Sequence, residues 1–520
     1  MKFVTAITLG LALVASAACA GEPVTTATGQ VAGVTADGVE SFKGIPFAAP
    51  PVGELRWRAP QPAASWSGVK SADALGHDCM QEPFKYDDAP LTTTPSEDCL
   101  YLNVWRPADA TAKKLPVIVW IYGGGFVNGG SSPKIYDGGA FARDGVIFVS
   151  FNYRLGRFGF FGFPALTKAD ADHGLLGNYG YMDQIKAMQW VQANIAAFGG
   201  DPANVTVFGE SAGGGSVHML LTSPEAKGLF ARAIVQSGGG RGNLLGPRRL
   251  SEDQPGRPSS ETLGVQFAVK NGVSGTDAGA LAKLRALSAA AVTDGLNLAT
   301  GPEGRTDGGP TQDGRIVVED PSATYLAGRE AHVPVMIGAT SADLGFFWAN
   351  SKDEAFASFG DHAAQAKAAY DPDGTKDLRQ INSEIGMDRM MVEPARFVAA
   401  TLAQQGVTSY EFRFSYTATP KRPQSPLGAP HASEVPFVMD TITARYGDAA
   451  TAQDQAAAKV MHAYWVNFAK TGKPDGGDLA PWPVYDAAGD QIMDFGADGV
   501  AKAGPDAWKA RMDVTAAVAK

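Results

Sequence analysis

Short apolar runs recur along the chain, separated by longer amphipathic stretches. The runs are rich in β-branched and aromatic residues and are bounded by Gly or Pro, a pattern typical of strands buried on both faces of a sheet. They cover Val117–Tyr122, Val146–Phe151, Val205–Phe208, Ala233–Gln236 and Val333–Ile337. A further strand is expected at Ser409–Phe414.

The amphipathic stretches have the spacing of helices. Tyr181–Phe198 repeats apolar residues at helical intervals, and Gly199-Gly200 then ends the pattern. Ala456–Ala469 is a second such stretch, and another helix is expected directly after Ser211. Alternating strands and helices predict an α/β fold with a mostly parallel central sheet and helices on both faces.

Two polar regions interrupt this alternation. Residues 241–260 and 299–315 are rich in Gly, Pro and Arg. We expect long surface loops there, which either border a binding site or are simple insertions.

The N-terminus has the pattern of an export signal. Lys2 precedes the apolar stretch Phe3–Ala15, and Ala18-Cys19-Ala20 resembles a cleavage site. We expect residues 1–20 to be a signal peptide and residues 21–520 to form a single domain with long loop insertions, periplasmic or secreted. A buried N-terminal helix is the alternative. The apolar stretch is too short to span a bilayer, and no other segment is long enough.

Three cysteines are present, Cys19, Cys79 and Cys99. Cleavage after Ala20 leaves one pair, so in an oxidising compartment we expect a Cys79–Cys99 disulfide. Two free buried thiols are the alternative. A lipoprotein acylated at Cys19 ranks second to a cleaved signal, because Ser16 stands where such motifs usually carry Leu.

The formal net charge of −10 argues against a nucleic-acid partner, since such proteins are usually basic. No His, Cys or Asp cluster has the spacing of zinc ligands, so neither a metal nor a cofactor is expected. The sequence leaves the oligomeric state open.

The segment Gly209-Glu210-Ser211-Ala212-Gly213 fits G-x-S-x-G between a predicted strand and a predicted helix. This context is that of a nucleophile elbow, in which a strained turn presents the serine. Ser211 is therefore the expected nucleophile, with a purely structural serine as the alternative. The helix N-terminus behind it favours developing negative charge.

Acyl transfer also needs donors for an oxyanion. The amide of Ala212 is one candidate, and the glycine-rich loop after Val117–Tyr122 supplies two more, Gly124 and Gly125. A phosphate-binding loop is the competing interpretation, but no Lys-Ser or Lys-Thr follows the glycines.

Several stretches together resemble the type-B carboxylesterase/cholinesterase-like family, from about Gly29 to the C-terminus. They are Glu97–Trp105 (EDCLYLNVW), Trp120–Phe126 (WIYGGGF), Asn152–Phe160 (NYRLGRFGF), Gly177–Trp190 and Phe198–Gly214 (FGGDPANVTVFGESAGG), with Gln236-Ser237-Gly238 and Thr471-Gly472-Lys473-Pro474. The resemblance implies an α/β-hydrolase fold and a small-molecule ester substrate. The Cys79–Cys99 pair also looks like the family's first disulfide.

The family order is Ser, then acid, then His. Of the histidines that follow Ser211, His431 lies in a loop whose pattern G-x-x-H-x-x-E-x-x-F is similar to the family's, and it is the expected general base. His332 would leave too little sheet before it. His462 lies on an amphipathic helix, where a packing role is the simpler interpretation.

The acid is expected at Asp343. In Val335–Phe347 it stands where the family usually has Glu, and Leu344 stands where the family usually has Gly. Asp can orient a histidine as Glu does. The alternative is that Asp343 caps a turn while Asp313 or Glu319 is the acid. Glu210 resembles a family acidic residue beside the nucleophile and is an expected auxiliary group.

These residues predict a serine carboxylic-ester hydrolase with a Ser-His-Asp triad. An amidase or a lactonase would use the same triad, whereas a non-catalytic adhesion protein would lack part of it. Choline-binding members of the family resemble one another in having a Trp inside this disulfide loop. The loop here contains Phe84 and Tyr86 but no Trp, which argues against a quaternary ammonium substrate. Arg241, Arg248 and Arg249 follow a segment expected on the acyl side, so they either attract an anionic acyl group or are simply solvated.

Overall fold

The computed structural model describes residues 19–109, 113–241, 248–300 and 309–519. The expected signal peptide therefore lies outside the described residues, except for Cys19–Ala20, which form the first short strand.

The strands are mostly short, and the longest precedes Ser211. They are β1 Cys19–Ala20, β2 Val24–Thr25, β3 Gln30–Ala32, β4 Val34–Ala36, β5 Val39–Pro46, β6 Val69–Ser71, β7 Tyr101–Pro107, β8 Leu115–Ile121, β9 Ile147–Phe151, β10 Gly200–Glu210, β11 Arg232–Gln236, β12 Arg248–Arg249, β13 Thr311–Gln312, β14 Val335–Thr340, β15 Ser409–Phe414, β16 Gln491–Phe495 and β17 Ala501–Pro505.

The helices lie between and after these strands. They are α1 Gly139–Arg143, α2 Gly156–Gly159, α3 Pro164–Ala169, α4 Tyr179–Asn194, α5 Ala212–Thr222, α6 Ser260–Lys270, α7 Ala278–Arg285, α8 Ala289–Thr293, α9 Pro321–Leu326, α10 Lys352–Ala357, α11 Ala363–Tyr370, α12 Leu378–Met387, α13 Glu393–Gln404, α14 Val435–Val438, α15 Ile442–Tyr446, α16 Ala452–Thr471 and α17 Lys509–Val518. A π-helical turn, Asp388–Val392, joins α12 to α13.

Within the described residues, twelve strands form one sheet in the order β1-β4-β5-β7-β9-β8-β10-β11-β14-β15-β16-β17. Neighbours from β9 to β16 run parallel, and the outer pairs run antiparallel. Every residue of β9, β14 and β15 is buried, so both faces of the sheet are covered. This is the mostly parallel α/β sheet that the alternating pattern predicts.

The parallel strands bring the expected site residues to one edge of the sheet. Ser211 directly follows β10, and Asp343 lies three residues beyond the end of β14. His431 lies in the connection that follows β15, and the glycine-rich loop follows β8. Because the carboxyl ends of parallel strands share one edge, residues far apart in sequence converge there.

The two polar regions contain more structure than the sequence predicts. Strand β12 lies within residues 241–260 and pairs in parallel with β13, which lies within residues 299–315. The first region also ends at helix α6, which Ser259 caps by accepting a hydrogen bond from the Thr262 amide. Strands of two residues are too short to show an alternating pattern, so the sequence indicated loops only.

One large apolar core runs from Val24 to Phe495 and packs around the sheet. Two smaller apolar clusters are separate from this core. One lies between α10, α11, α12 and α17, and the other lies beside the π-helical turn. No helix in the described part of the chain is both long enough and apolar enough to cross a membrane.

Candidate active site

Ser211 occupies a sharp turn between β10 and α5. Its backbone lies at φ 58° and ψ −122°, a conformation that residues other than glycine rarely adopt. Its amide donates to the carbonyl oxygen of Gln236 at 3.0 Å. The turn needs glycine nearby, because a Cβ on Gly213 would stand 2.0 Å from the carbonyl oxygen of Ile121. These contacts hold Ser211 at the tip of the turn, where it lines a cavity.

The glycine-rich loop after β8 approaches the serine closely. A Cβ on Gly123 would stand 2.9 Å from the Cβ of Ser211. The next two residues, Gly124 and Gly125, have φ values of 103° and 62°, and both line the cavity beside Ser211. Ala212, the third expected oxyanion donor, is the first residue of α5 and lines the same cavity.

Asp343 and His431 are in direct contact. The Oδ1 atom of Asp343 lies 2.5 Å from the Nδ1 atom of His431. The carboxylate also accepts hydrogen bonds from the Thr340 amide at 2.9 Å, the Leu344 amide at 2.7 Å and the Ser237 hydroxyl at 2.6 Å. Asp343 thus orients the imidazole and is itself fixed by three donors.

The other candidate acids lie elsewhere. Asp313 accepts hydrogen bonds from the side chain of Asn178 and from the amide of Arg315. Glu319 pairs with Arg329 at the surface. Among the described contacts, neither carboxylate reaches His431, whereas Asp343 does.

The other candidate histidines also have different surroundings. His332 is exposed, and its Nε2 atom lies 3.5 Å from the Oε1 atom of Glu330. His462 is buried, its Nδ1 atom lies 2.7 Å from the Val438 carbonyl oxygen, and its ring packs against Phe141. The packing role that the sequence indicates for His462 agrees with this environment.

Glu210 lies on the other side of the imidazole. Its Oε1 atom is 3.1 Å from the Nε2 atom of His431. A further carboxyl group, that of Glu434, accepts a hydrogen bond from Gln236 at 3.0 Å and is buried beside the same pair. Three acidic side chains therefore surround one histidine.

Burial and charge oppose each other in this cluster. Burial alone would lower the pKa of His431, but the carboxylates of Glu210 and Asp343 outweigh it and raise the pKa. Burial raises the pKa of both Glu210 and Glu434. Asp343 is also buried, yet the charge and hydrogen bond of His431 lower its pKa. The histidine thus lowers the pKa of Asp343, whereas burial raises the pKa values of Glu210 and Glu434.

The serine and the histidine line one cavity but are not hydrogen-bonded in this conformation. Among the described residues, the Nε2 atom of His431 has no hydrogen-bond partner, and it faces Glu210. Hydrogen bonds to a catalytic nucleophile are often long before substrate binds. The lack of a serine–histidine hydrogen bond here is therefore compatible with a nucleophile and its base.

The cavity has a volume of about 600 Å³. Apolar side chains make up much of its wall, including Phe126, Ile135, Leu344, Phe346 and Met390. Such a volume and wall suit a small organic molecule with few charged groups.

The three arginines do not act as a group. Arg241 lines the cavity, but its guanidinium is paired with Glu393 and stacks on Phe397 at 4.3 Å from the ring centroid. Arg248 donates to the Pro258 carbonyl, and Arg249 forms an exposed pair with Glu252. The structure thus brings only Arg241 to the cavity, and a carboxylate already balances its charge.

The disulfide between Cys79 and Cys99 is present. Between the two cysteines, Phe84, Asp87 and Asp88 line the cavity. The bridge therefore closes a loop that forms part of the cavity wall.

Sequence reasoning missed several residues of the site. The motif around His431 contains Glu434 but assigns it no role, although its position three residues after His431 indicates proximity. Glu393 and Tyr325 have no local motif, and contacts between distant elements alone place them near the cavity wall.

Comparison with known proteins shows the family to which the chain belongs. The model of the carboxylesterase family matches residues 20–511. The chain belongs to the carboxylesterase family. It is 36% identical over 489 residues to fumonisin B1 esterase of Sphingopyxis macrogoltabida, covering 91% of this chain and 86% of the relative. It is 37% identical over 479 residues to para-nitrobenzyl esterase of Bacillus subtilis (strain 168), covering 89% and 92%.

A mammalian esterase is similar to this chain over a comparable length. Liver carboxylesterase 1 of Oryctolagus cuniculus is 32% identical over 537 residues, covering 92% of this chain and 91% of the relative. The family is the type-B carboxylesterase/cholinesterase family of α/β-hydrolases, as the sequence motifs predict. The protein is a carboxylesterase-family enzyme, and its chemistry is ester hydrolysis.

Proposed function

We propose that the protein hydrolyses carboxylic esters of small molecules through Ser211, His431 and Asp343, with an acyl-enzyme intermediate. The observation that carries the proposal is the 2.5 Å contact between Asp343 and His431 beside a cavity that also contains Ser211. The wall of that cavity fits an uncharged acyl or alcohol group.

In the first half-reaction, the Nε2 atom of His431 takes the proton of Ser211 as its Oγ attacks the ester carbonyl. The C–O bond of the ester then breaks, and the alcohol leaves with the proton that His431 held. In the second half-reaction, His431 activates a water molecule, which releases the carboxylic acid and frees Ser211. Asp343 stabilises the imidazolium form in both halves.

The oxyanion of each tetrahedral intermediate needs fixed donors. The amides of Gly124, Gly125 and Ala212 are the proposed set, since these residues line the same cavity as Ser211. The N-terminus of α5 adds a favourable electrostatic field.

Turnover of p-nitrophenyl acetate tests this mechanism. Wild-type enzyme should show hydrolysis, and Ser211→Ala should lose at least about 10³-fold in kcat. Ser223→Ala, a buried serine outside the cavity wall, serves as the matched control. Full activity in Ser211→Ala would overturn the mechanism. Equal turnover of the corresponding anilide would instead identify an amidase.

We further propose that the protein is exported and loses residues 1–20. The Cys79–Cys99 disulfide supports this, because such bonds persist in oxidising compartments. Fractionation of cells and mass spectrometry of the purified protein test it. A mature chain that begins at Gly21 agrees with the proposal, whereas an intact N-terminus or an acylated Cys19 contradicts it.

A further inference from the structure

Three consecutive glycines, Gly238 to Gly240, form one wall of the cavity. Glycines have no side chain through which a wall could be anchored, so the backbone itself must be held. Two anchors lie at the ends of the segment. Ser237 donates to Asp343 at 2.6 Å, and Arg241 pairs with Glu393. We call residues 238–240 the glycine wall.

A third anchor holds the middle of the glycine wall. The Nε2 atom of His218 lies 3.1 Å from the carbonyl oxygen of Gly239. Its Nδ1 atom lies 2.8 Å from the hydroxyl oxygen of Tyr325. A carbonyl oxygen can only accept, so Nε2 carries the proton, and Nδ1 must accept from the Tyr325 hydroxyl.

The surroundings keep this arrangement in one state. Both His218 and Tyr325 are buried. Burial lowers the pKa of His218 to about 4, so the ring stays neutral around neutral pH. Burial also raises the pKa of Tyr325, which therefore keeps the proton that it donates.

We propose that His218, oriented by Tyr325, is a positioning residue that fixes the glycine wall and thereby limits the size of the acyl group that reaches Ser211. This inference rests on the proposed function. His218 lies on α5, the helix that begins beside Ser211, so one rigid element carries both the nucleophile and the anchor of the wall.

The assignment to the acyl group follows from where the alcohol must lie. The alcohol takes its proton from His431, so it occupies the part of the cavity next to that residue. The glycine wall instead lies against Gly214 and His218 of α5 and the carbonyl oxygen of Met390, and among the described contacts none joins it to His431. Without its central anchor, the wall would move more freely and admit longer acyl chains.

Tyr325→Phe is the direct test, because it removes one hydroxyl and leaves the ring in place. The ratio of kcat/KM for p-nitrophenyl hexanoate to that for p-nitrophenyl acetate should rise about threefold to tenfold. Tyr464→Phe is the matched control, since it also removes a hydrogen-bonded hydroxyl from a buried tyrosine but lies away from the cavity; the Tyr464 hydroxyl donates to the Ala480 carbonyl oxygen at 2.9 Å. That variant should keep the wild-type ratio.

A second pair of variants separates positioning from packing. His218→Gln keeps an amide that can donate to Gly239, whereas His218→Leu removes the donor. His218→Leu should change the hexanoate-to-acetate ratio of kcat/KM more than His218→Gln does, while the two variants unfold at similar temperatures. The inference is overturned if folded Tyr325→Phe and His218→Leu keep the wild-type ratio of kcat/KM for hexanoate to that for acetate. It is also overturned if the variants change kcat/KM only across a series of esters that differ in their alcohol group.

Parallel assays separate this inference from the proposed function. If wild-type activity is lost in Ser211→Ala but the acyl ratio does not move in Tyr325→Phe, only the inference fails. If activity persists in Ser211→Ala, the proposed function fails first.

Discussion

The Oε1 atom of Glu210 lies 3.1 Å from the Nε2 atom of His431, the nitrogen that we propose accepts the proton of Ser211. A carboxylate at this distance stabilises the protonated imidazole. The pKa of His431 is therefore raised above that of an isolated histidine, so under the proposed mechanism its neutral form requires a higher pH.

Glu210→Gln should move the acidic limb of the kcat/KM profile to lower pH. The proposed mechanism needs neutral His431, and removing the carboxylate should lower the pKa of that histidine. A shift of about one pH unit corresponds to the loss of roughly 1.4 kcal/mol of interaction. Glu225→Gln, at a surface carboxylate paired with Arg315, should leave the limb in place. An unchanged limb in Glu210→Gln would contradict this account.

Asp343 should not tolerate the longer side chain that the family usually carries at this position. Its carboxylate is buried and already contacts His431 at 2.5 Å, so a further methylene group would displace the imidazole. We expect Asp343→Glu to lower kcat about 10- to 100-fold. Asp343→Asn should lower it by about 10³-fold or more. Wild-type kcat in Asp343→Glu would show that the site has room to adapt.

Removing the disulfide should affect stability and substrate binding together. The Cys79–Cys99 bond closes a loop with a sequence separation of 20 residues, and such a cross-link contributes about 3 kcal/mol to the free energy of unfolding. Because Phe84 and Asp87 in this loop line the cavity, KM should rise in the Cys79→Ser/Cys99→Ser double variant. Denaturant unfolding and steady-state kinetics measure the two effects. A change in stability with constant KM would separate the loop from the site.

Neutralising Arg241, Arg248 and Arg249 should not discriminate between neutral and anionic esters. Only Arg241 lines the cavity, and Glu393 balances its charge. We expect kcat/KM to fall by a similar factor for a neutral ester and for its carboxylated analogue. A loss confined to the carboxylated ester would instead support selection of anionic acyl groups by these arginines.

The sequence predicted the parts of the molecule that local patterns control. The strand Ser409–Phe414 matches β15, and the stretches around Val117 and Val146 fall within one or two residues of β8 and β9. Continuous apolar runs of this kind are distinctive because the central strands are buried on both faces.

Features that depend on distant contacts were not predictable. The pairing of β12 with β13 joins two polar regions that show no periodicity. Tyr325 meets His218 across more than a hundred residues, and no pattern near either residue indicates the contact. At the site itself, the resemblance predicted Asp343 and His431, but only the fold shows that Glu210 faces the Nε2 atom of His431.

The hydrogen bond from Ser237 to Asp343 has a practical consequence for altering this enzyme in the laboratory. Ser237, which precedes the glycine wall, also holds Asp343 in place. Substitutions at residues 238–240 that are selected to admit bulkier acyl groups should therefore lower turnover as well. The loop that holds Phe84 has no such bond to Asp343 among the described contacts, and it lines the same cavity. Libraries built there should broaden substrate range while sparing the catalytic step.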